Sequence, residues 1–118
     1  TKRYDAHLRR LRRTLAERKQ QAWQSLLRHM PAGVKIHHND SGYFLWLELP
    51  EQLDAGRLSE KALTHQISIA PGKMFSTSNI WTPFFRFNTS WGWGEREEQA
   101  VVQLAGLIRE MMLHPVTP

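Results

Sequence analysis

At 118 residues, of which 41% are hydrophobic, the chain is long enough for one domain with its own core, so disorder is not expected. It has no cysteine, which excludes disulfides, thiolate chemistry and cysteine-ligated metal, and is compatible with the cytoplasm. No apolar run approaches the roughly 20 residues of a membrane span. The composition therefore predicts a soluble, cytoplasmic protein without a membrane segment.

The formal net charge of +5 is unevenly placed. Residues 1–30 hold nine Lys or Arg against two acids, whereas residues 31–118 hold seven against nine. The basic character therefore belongs to one segment. The chain opens at Thr1 and enters a charged helical pattern at once, so we expect it to be a piece of a longer protein.

Apolar periodicity and chain breakers predict the order helix, strand, strand, helix, strand, strand, helix. The predicted elements cover residues 4–30, 34–38, 43–50, 55–66, 67–72, 83–89 and 95–112. The first helix has one apolar stripe, formed by Tyr4, Leu8, Leu11, Leu15, Ala22 and Leu26. The last helix has Val101, Leu104, Ile108 and Met111 on one face. Residues 73–82 show no periodicity and are predicted to form a loop.

Short strands interspersed with helices predict an α+β fold, with a small, mainly antiparallel sheet covered by helices on one face. In the strand "FFRFN", Phe85 and Phe87 would point to one face, and Phe84, Arg86 and Asn88 to the other. The face without helices would be unusually apolar for solvent, so we expect an absent partner domain to cover it.

Four stretches carry a family resemblance: "YDAHLRRLRR", "GYFLWLELP", "ISIAPGKMF" and "FFRFNTSWG". In this order they resemble the C-terminal small domain of fold-type-I aminotransferases, which depend on pyridoxal phosphate (PLP). The resemblance runs from about Tyr4 to Met112 and is closest to the MocR subgroup of GntR-type transcription regulators. It implies a homodimeric parent with a large PLP domain and an upstream DNA-binding domain, both absent from residues 1–118.

The resemblance also implies that Arg86 binds the carboxylate of an amino acid effector or substrate. A guanidinium suits this role because its planar fork of donors matches a carboxylate and stays charged. The other pocket residues that the resemblance implies are Gly42, Tyr43, Phe44, Pro71, Gly72, Phe75 and Asn88. Ser41 departs from the family pattern, which usually has a second glycine there.

Catalytic, cofactor and metal sites are not predicted within this chain. In the family, the Schiff-base lysine and the phosphate cup of PLP belong to the large domain. Lys35, Lys61 and Lys73 lie in the wrong sequence contexts for that lysine. We therefore expect PLP in the parent and no cofactor in the isolated domain.

Other interpretations remain open. Arg86 could form a structural ion pair with Glu48, Tyr43 and Phe44 could be core residues, and "APGKMF" could be a plain turn. The parent could be an ordinary amino acid aminotransferase. In a different class, the chain could bind nucleic acid through the arginines of its first helix, although these flank an apolar stripe as solvated residues do.

Overall fold

The computed structural model describes residues 1–37, 42–75, 79–90 and 92–114. Its helices and strands follow the predicted order, with two short 3₁₀ turns between the last two strands. The elements are α1 (Lys2–His29), β1 (Lys35–His37), β2 (Phe44–Glu48), α2 (Ala55–Leu63), β3 (Ala70–Pro71), β4 (Phe84–Asn88) and α3 (Glu95–Leu113), with 3₁₀ turns at Gly72–Met74 and Asn79–Trp81. The predicted α+β fold is confirmed. None of the helices in these ranges is long and apolar enough to span a membrane.

The four strands form one antiparallel sheet in the order β1-β2-β4-β3. Arg86 on β4 lies opposite Trp46 on β2 and Ala70 on β3. Phe85 lies opposite Leu47. Because strand side chains alternate between faces, Arg86 and Phe85 point to opposite faces of the sheet, as the sequence predicted.

The helices cover the face that carries Leu45, Leu47 and Phe85, all fully buried. Leu26 of α1 and Leu104 of α3 belong to the same core cluster. Burying each such side chain stabilises the fold by about 1.5–3 kcal/mol. The whole predicted apolar face of α3 is buried: Val101, Leu104, Ile108 and Met111.

The apolar stripe of α1 is only partly used in packing. The buried residues of this helix are Lys19, Ala22, Ser25 and Leu26, all in its second half. Tyr4 and Leu11 are exposed, and Leu8 and Leu15 are half-buried. The first half of α1 therefore projects from the domain with an apolar stripe that the described residues do not cover.

Two local predictions differ from the structure. The strand expected at 67–72 is paired only at Ala70–Pro71, because Ile67 and Ile69 turn into the core and Pro71 has no N–H to extend the ladder. The loop expected at 73–82 contains parts of both 3₁₀ turns. Ser41 and the end of the first predicted strand, at residue 38, lie outside the described residues.

Candidate functional site

Arg86 lies on the face of the sheet that the helices leave open. Its side chain is half-buried, and its guanidinium carbon lies 4.7 Å from the ring centroid of Phe44 and 4.6 Å from that of Phe75. Cation–π contacts of this kind are worth about 0.5–1 kcal/mol each at exposed sites. Two aromatic rings thus hold the guanidinium without neutralising its charge.

Within the described ranges, no carboxylate lies at ion-pair distance from Arg86. Glu48, the acid proposed as its structural partner, instead lies 3.0 Å from Nε2 of His37. The charge of Arg86 therefore remains available to an anionic ligand.

An aromatic cluster surrounds Arg86 on the open face; it consists of Phe44, Trp46, Phe75, Trp81 and Phe84. Ring centroids within it are 5.1 Å apart for Trp81 and Phe84, 5.5 Å for Trp46 and Phe75, and 6.2 Å for Phe44 and Trp46. Phe75 and Trp81 come from the connection between β3 and β4. This connection therefore folds back over part of the open face and brings Phe75 to Arg86.

A cavity of about 660 Å³ opens beside Arg86. Its lining residues are Gly42, Tyr43, Phe44, Ser68, Ile69, Ala70, Met74, Arg86, Asn88 and Ser90. Five of them, Arg86, Gly42, Tyr43, Phe44 and Asn88, were predicted as site residues from the sequence. The sequence pattern missed Ser68, Ile69, Ala70, Met74 and Ser90, because they belong to connecting segments and the two-residue strand β3.

Gly42 has a local structural reason to be glycine. Its φ is +80°, and a Cβ atom there would lie 2.6 Å from Cε1 of Phe44. A positive φ is strained for other residues, and the ring leaves no room for a side chain. Gly42 therefore allows Phe44 to take the position in which its ring lies over Arg86.

Pro71 and Gly72 lie outside the lining of the cavity. Pro71 pairs with Phe85 at the sheet edge. Gly72 is buried, and a Cβ atom there would lie 2.5 Å from the carbonyl oxygen of Trp81. These two residues fix the start of the connection that carries Phe75.

The loops on either side of Arg86 are fastened to α1. Nζ of Lys19 donates to the carbonyl oxygen of Gly42 at 3.2 Å, and Arg18 donates to the carbonyl oxygen of Ser90 at 2.8 Å. The N–H of Thr89 also donates to the carbonyl oxygen of Tyr43 at 2.8 Å. Two of the basic residues of α1 therefore hold the rim of the cavity.

A second cavity, of about 370 Å³, lies between the end of β4 and the first turn of α3. It shares Ser68 and Asn88 with the first cavity, and its lining includes both Arg96 and Glu97. Because these two side chains carry opposite charges, this cavity does not present an isolated cation. The larger cavity, next to Arg86, is the better anion site.

No family model matches the chain. It is 78% identical over 112 residues to an uncharacterized HTH-type transcriptional regulator, YdcR of Escherichia coli strain K12, a match that covers 95% of this chain and 24% of the relative. In structure it is similar to a multiple substrate aminotransferase of Thermococcus profundus, with a TM-score of 0.84, 25% identity and coverage of 93% of this chain and 27% of that one.

The chain is the aminotransferase-like small domain of a MocR-type regulator. This small domain is also similar to the α-aminoadipate aminotransferase LysN of Thermus thermophilus, with a TM-score of 0.82 and 26% identity, over 94% of this chain and 28% of that one. The small domain spans about a quarter of the length of each of these relatives.

Proposed function

We propose that this small domain supplies the carboxylate-binding side of an amino acid site in a GntR-type transcriptional regulator. The observation that carries the proposal is Arg86: an arginine on the open sheet face, held over two rings, beside a cavity, and without an acidic partner among the described residues. Its N–H groups can form two parallel hydrogen bonds to one carboxylate. Such a contact fixes the ligand's orientation as well as its charge.

A structural neighbour supports the choice of an amino acid. The LysN structure was solved in complex with N-(5'-phosphopyridoxyl)-L-leucine, in which an amino acid is joined to a phosphopyridoxyl group. The proposed parent of this small domain likewise brings an amino acid and PLP together. The role of this chain is then to bind and orient the amino acid at its carboxylate end.

The residues of this chain do not fit a PLP site of their own. A PLP site needs a free lysine amine together with donors for the phosphate. Lys19 is buried and donates to the carbonyl oxygen of Gly42, and Lys73 pairs with Asp54 at 3.0 Å. The isolated domain is therefore proposed to bind no cofactor, and PLP is assigned to the large domain of the parent.

The large domain is proposed to cover two surfaces of this chain. One is the open sheet face with Arg86 and the aromatic cluster, and the other is the uncovered apolar stripe of α1. Closing a second domain over the first surface would exclude water and strengthen the contact between Arg86 and a carboxylate. DNA is proposed to bind upstream, through the helix-turn-helix part implied by the similarity to YdcR, in a homodimeric, cytoplasmic parent.

An ordinary amino acid aminotransferase is the second candidate for the parent. It is favoured by the aminotransferases among the similar structures, whereas the 78% identical relative favours a regulator. The two candidates differ in their output. An amino acid that changes the parent's affinity for DNA without being consumed supports a regulator, and steady conversion to a keto acid supports the enzyme.

The test of the proposed site uses the full-length parent. Binding of amino acids is measured by isothermal titration calorimetry for the wild type and for Arg86→Lys. Glu48→Gln serves as a control, because Glu48 lies on the same sheet face but is paired with His37. Weaker binding in Arg86→Lys alone supports the proposal. Unchanged binding in Arg86→Lys would show that this arginine is structural.

A further inference from the structure

The cavity beside Arg86 joins one positive charge to an apolar wall. Among the described residues that line it, Arg86 alone carries a charge. The wall around it is formed largely by Tyr43, Phe44, Ile69 and Met74. A ligand that fits this surface has one carboxylate and, next to it, a large group without charge.

We propose that the amino acid bound at this site has a large, uncharged side chain, apolar or aromatic, and that acidic and basic amino acids are rejected. This inference rests on the proposed carboxylate role of Arg86 and adds the class of ligand. A buried charge without a partner is costly, because the protein then does not replace the lost hydration. This half of the site offers no such partner to a charged side chain.

The charged groups nearest in the fold are already paired. Glu48 is bound to His37, so it is not free to pair with a basic ligand side chain. Lys73, on the same connection as Met74, pairs with Asp54 at 3.0 Å and so is not free for an acidic one. Selection against charge therefore follows from pairing within the domain as well as from the apolar wall.

The size of the cavity agrees with a large side chain. Its volume of about 660 Å³ lies in the usual range of about 300–1,000 Å³ for ligand pockets. Met74 is 71% exposed and Phe75 is 48% exposed, so their apolar surface is available beside Arg86. A methionine side chain is flexible and adapts to ligands of different shape. A small ligand such as alanine would leave this surface uncovered.

The test measures selectivity in the full-length parent. Affinities for L-phenylalanine, L-leucine, L-alanine, L-aspartate and L-lysine are determined by isothermal titration calorimetry at one pH and salt concentration. We expect L-phenylalanine or L-leucine to bind at least about tenfold more tightly than the other three, because burial of a large apolar side chain is favourable and the other three lack one. Equal or tighter binding of L-aspartate or L-lysine would overturn the inference.

A charge placed in the wall tests the same site independently. Met74→Lys should raise the affinity for L-aspartate relative to L-phenylalanine by about tenfold or more, because it supplies the missing partner. Leu63→Lys is the matched control, since Leu63 is an exposed leucine at the end of α2, outside the cavity, and should leave the ratio unchanged. An unchanged ratio in Met74→Lys would show that the ligand's side chain lies elsewhere.

The two proposals fail in different ways. If Arg86→Lys weakens every amino acid but charged and apolar ligands bind alike, the carboxylate site stands and the ligand class is wrong. If Arg86→Lys changes nothing, the carboxylate site is itself wrong, whatever the order of affinities.

Discussion

The carboxylate of Glu48 lies 3.0 Å from Nε2 of His37, across the β1–β2 ladder. His37 also stacks on Phe84 with ring centroids 5.9 Å apart, so it is positioned to hold Glu48 at this end of the sheet. The acid that could have neutralised Arg86 is thereby paired with another residue. Arg86 keeps an uncompensated charge on the open face.

Replacing Arg86 by lysine in the full-length parent should weaken amino acid binding by about ten- to a hundredfold. Lysine keeps the charge but loses the planar fork of donors, and a charge-assisted contact is worth about 1.5–3 kcal/mol. Calorimetry measures the affinity, and thermal unfolding of both proteins checks that the variant is folded. An affinity within twofold of the wild type would contradict the prediction.

Gly42→Ala should destabilise the small domain by at least about 1 kcal/mol, because the residue has a positive φ and the new methyl would meet the ring of Phe44. Gly106→Ala is the control: no atom of another residue lies near its Cβ position, and alanine favours a helix by up to about 1 kcal/mol. Urea unfolding should therefore give changes of opposite sign. A neutral Gly42→Ala would show that Phe44 moves aside freely.

The contacts of Glu98 predict a pH-dependent contribution to stability. Its carboxylate accepts hydrogen bonds from Arg28 at 2.7 Å, His29 at 2.8 Å and Trp93 at 3.1 Å. The bond from Arg28, followed by those from His29 and Trp93, lowers the pKa of Glu98 from 4.5 to about 2, although burial opposes the shift. These contacts join the end of α1 to the start of α3.

Because the folded-state pKa is the lower one, the contribution of Glu98 is complete above pH 4.5 and is lost as the pH falls towards 2. Glu98→Gln should therefore reduce the free energy of unfolding at pH 6 by about 1 kcal/mol, and the difference from the wild type should shrink below pH 4.5. Urea unfolding followed by circular dichroism at several pH values measures it. A difference that is constant from pH 6 to pH 3 would contradict this assignment.

The exposed arginines of α1 should give this chain only weak affinity for duplex DNA. Arg9, Arg10, Arg12 and Arg13 are solvent-exposed and can contact phosphates without reading bases. We expect the affinity to fall steeply as salt rises through the physiological range, and to be lost when all four are replaced by glutamine. Tight, sequence-selective binding at physiological salt, measured by fluorescence anisotropy, would support the rival nucleic-acid-binding function.

The order of the elements and the two faces of β4 could be predicted because both depend on local periodicity. Phe85 and Arg86 had to point to opposite faces of any strand, and the apolar spacing of α3 identified its buried residues correctly. The resemblance also placed Arg86, Phe44 and Phe75 in one site, and the structure brings these three side chains together.

The tertiary structure alone decided which distant groups hold that site. Arg18 reaches the carbonyl of Ser90 across 72 residues of sequence, and Lys19 reaches that of Gly42 across 23. The sequence could not separate these two from the solvated arginines nearby, because all of them lie on one basic helix. The fate of Glu48 was equally open, since both His37 and Arg86 lie on strands that flank β2. Such choices depend on how side chains meet after the sheet and helices have packed, and local pattern carries no information about that geometry.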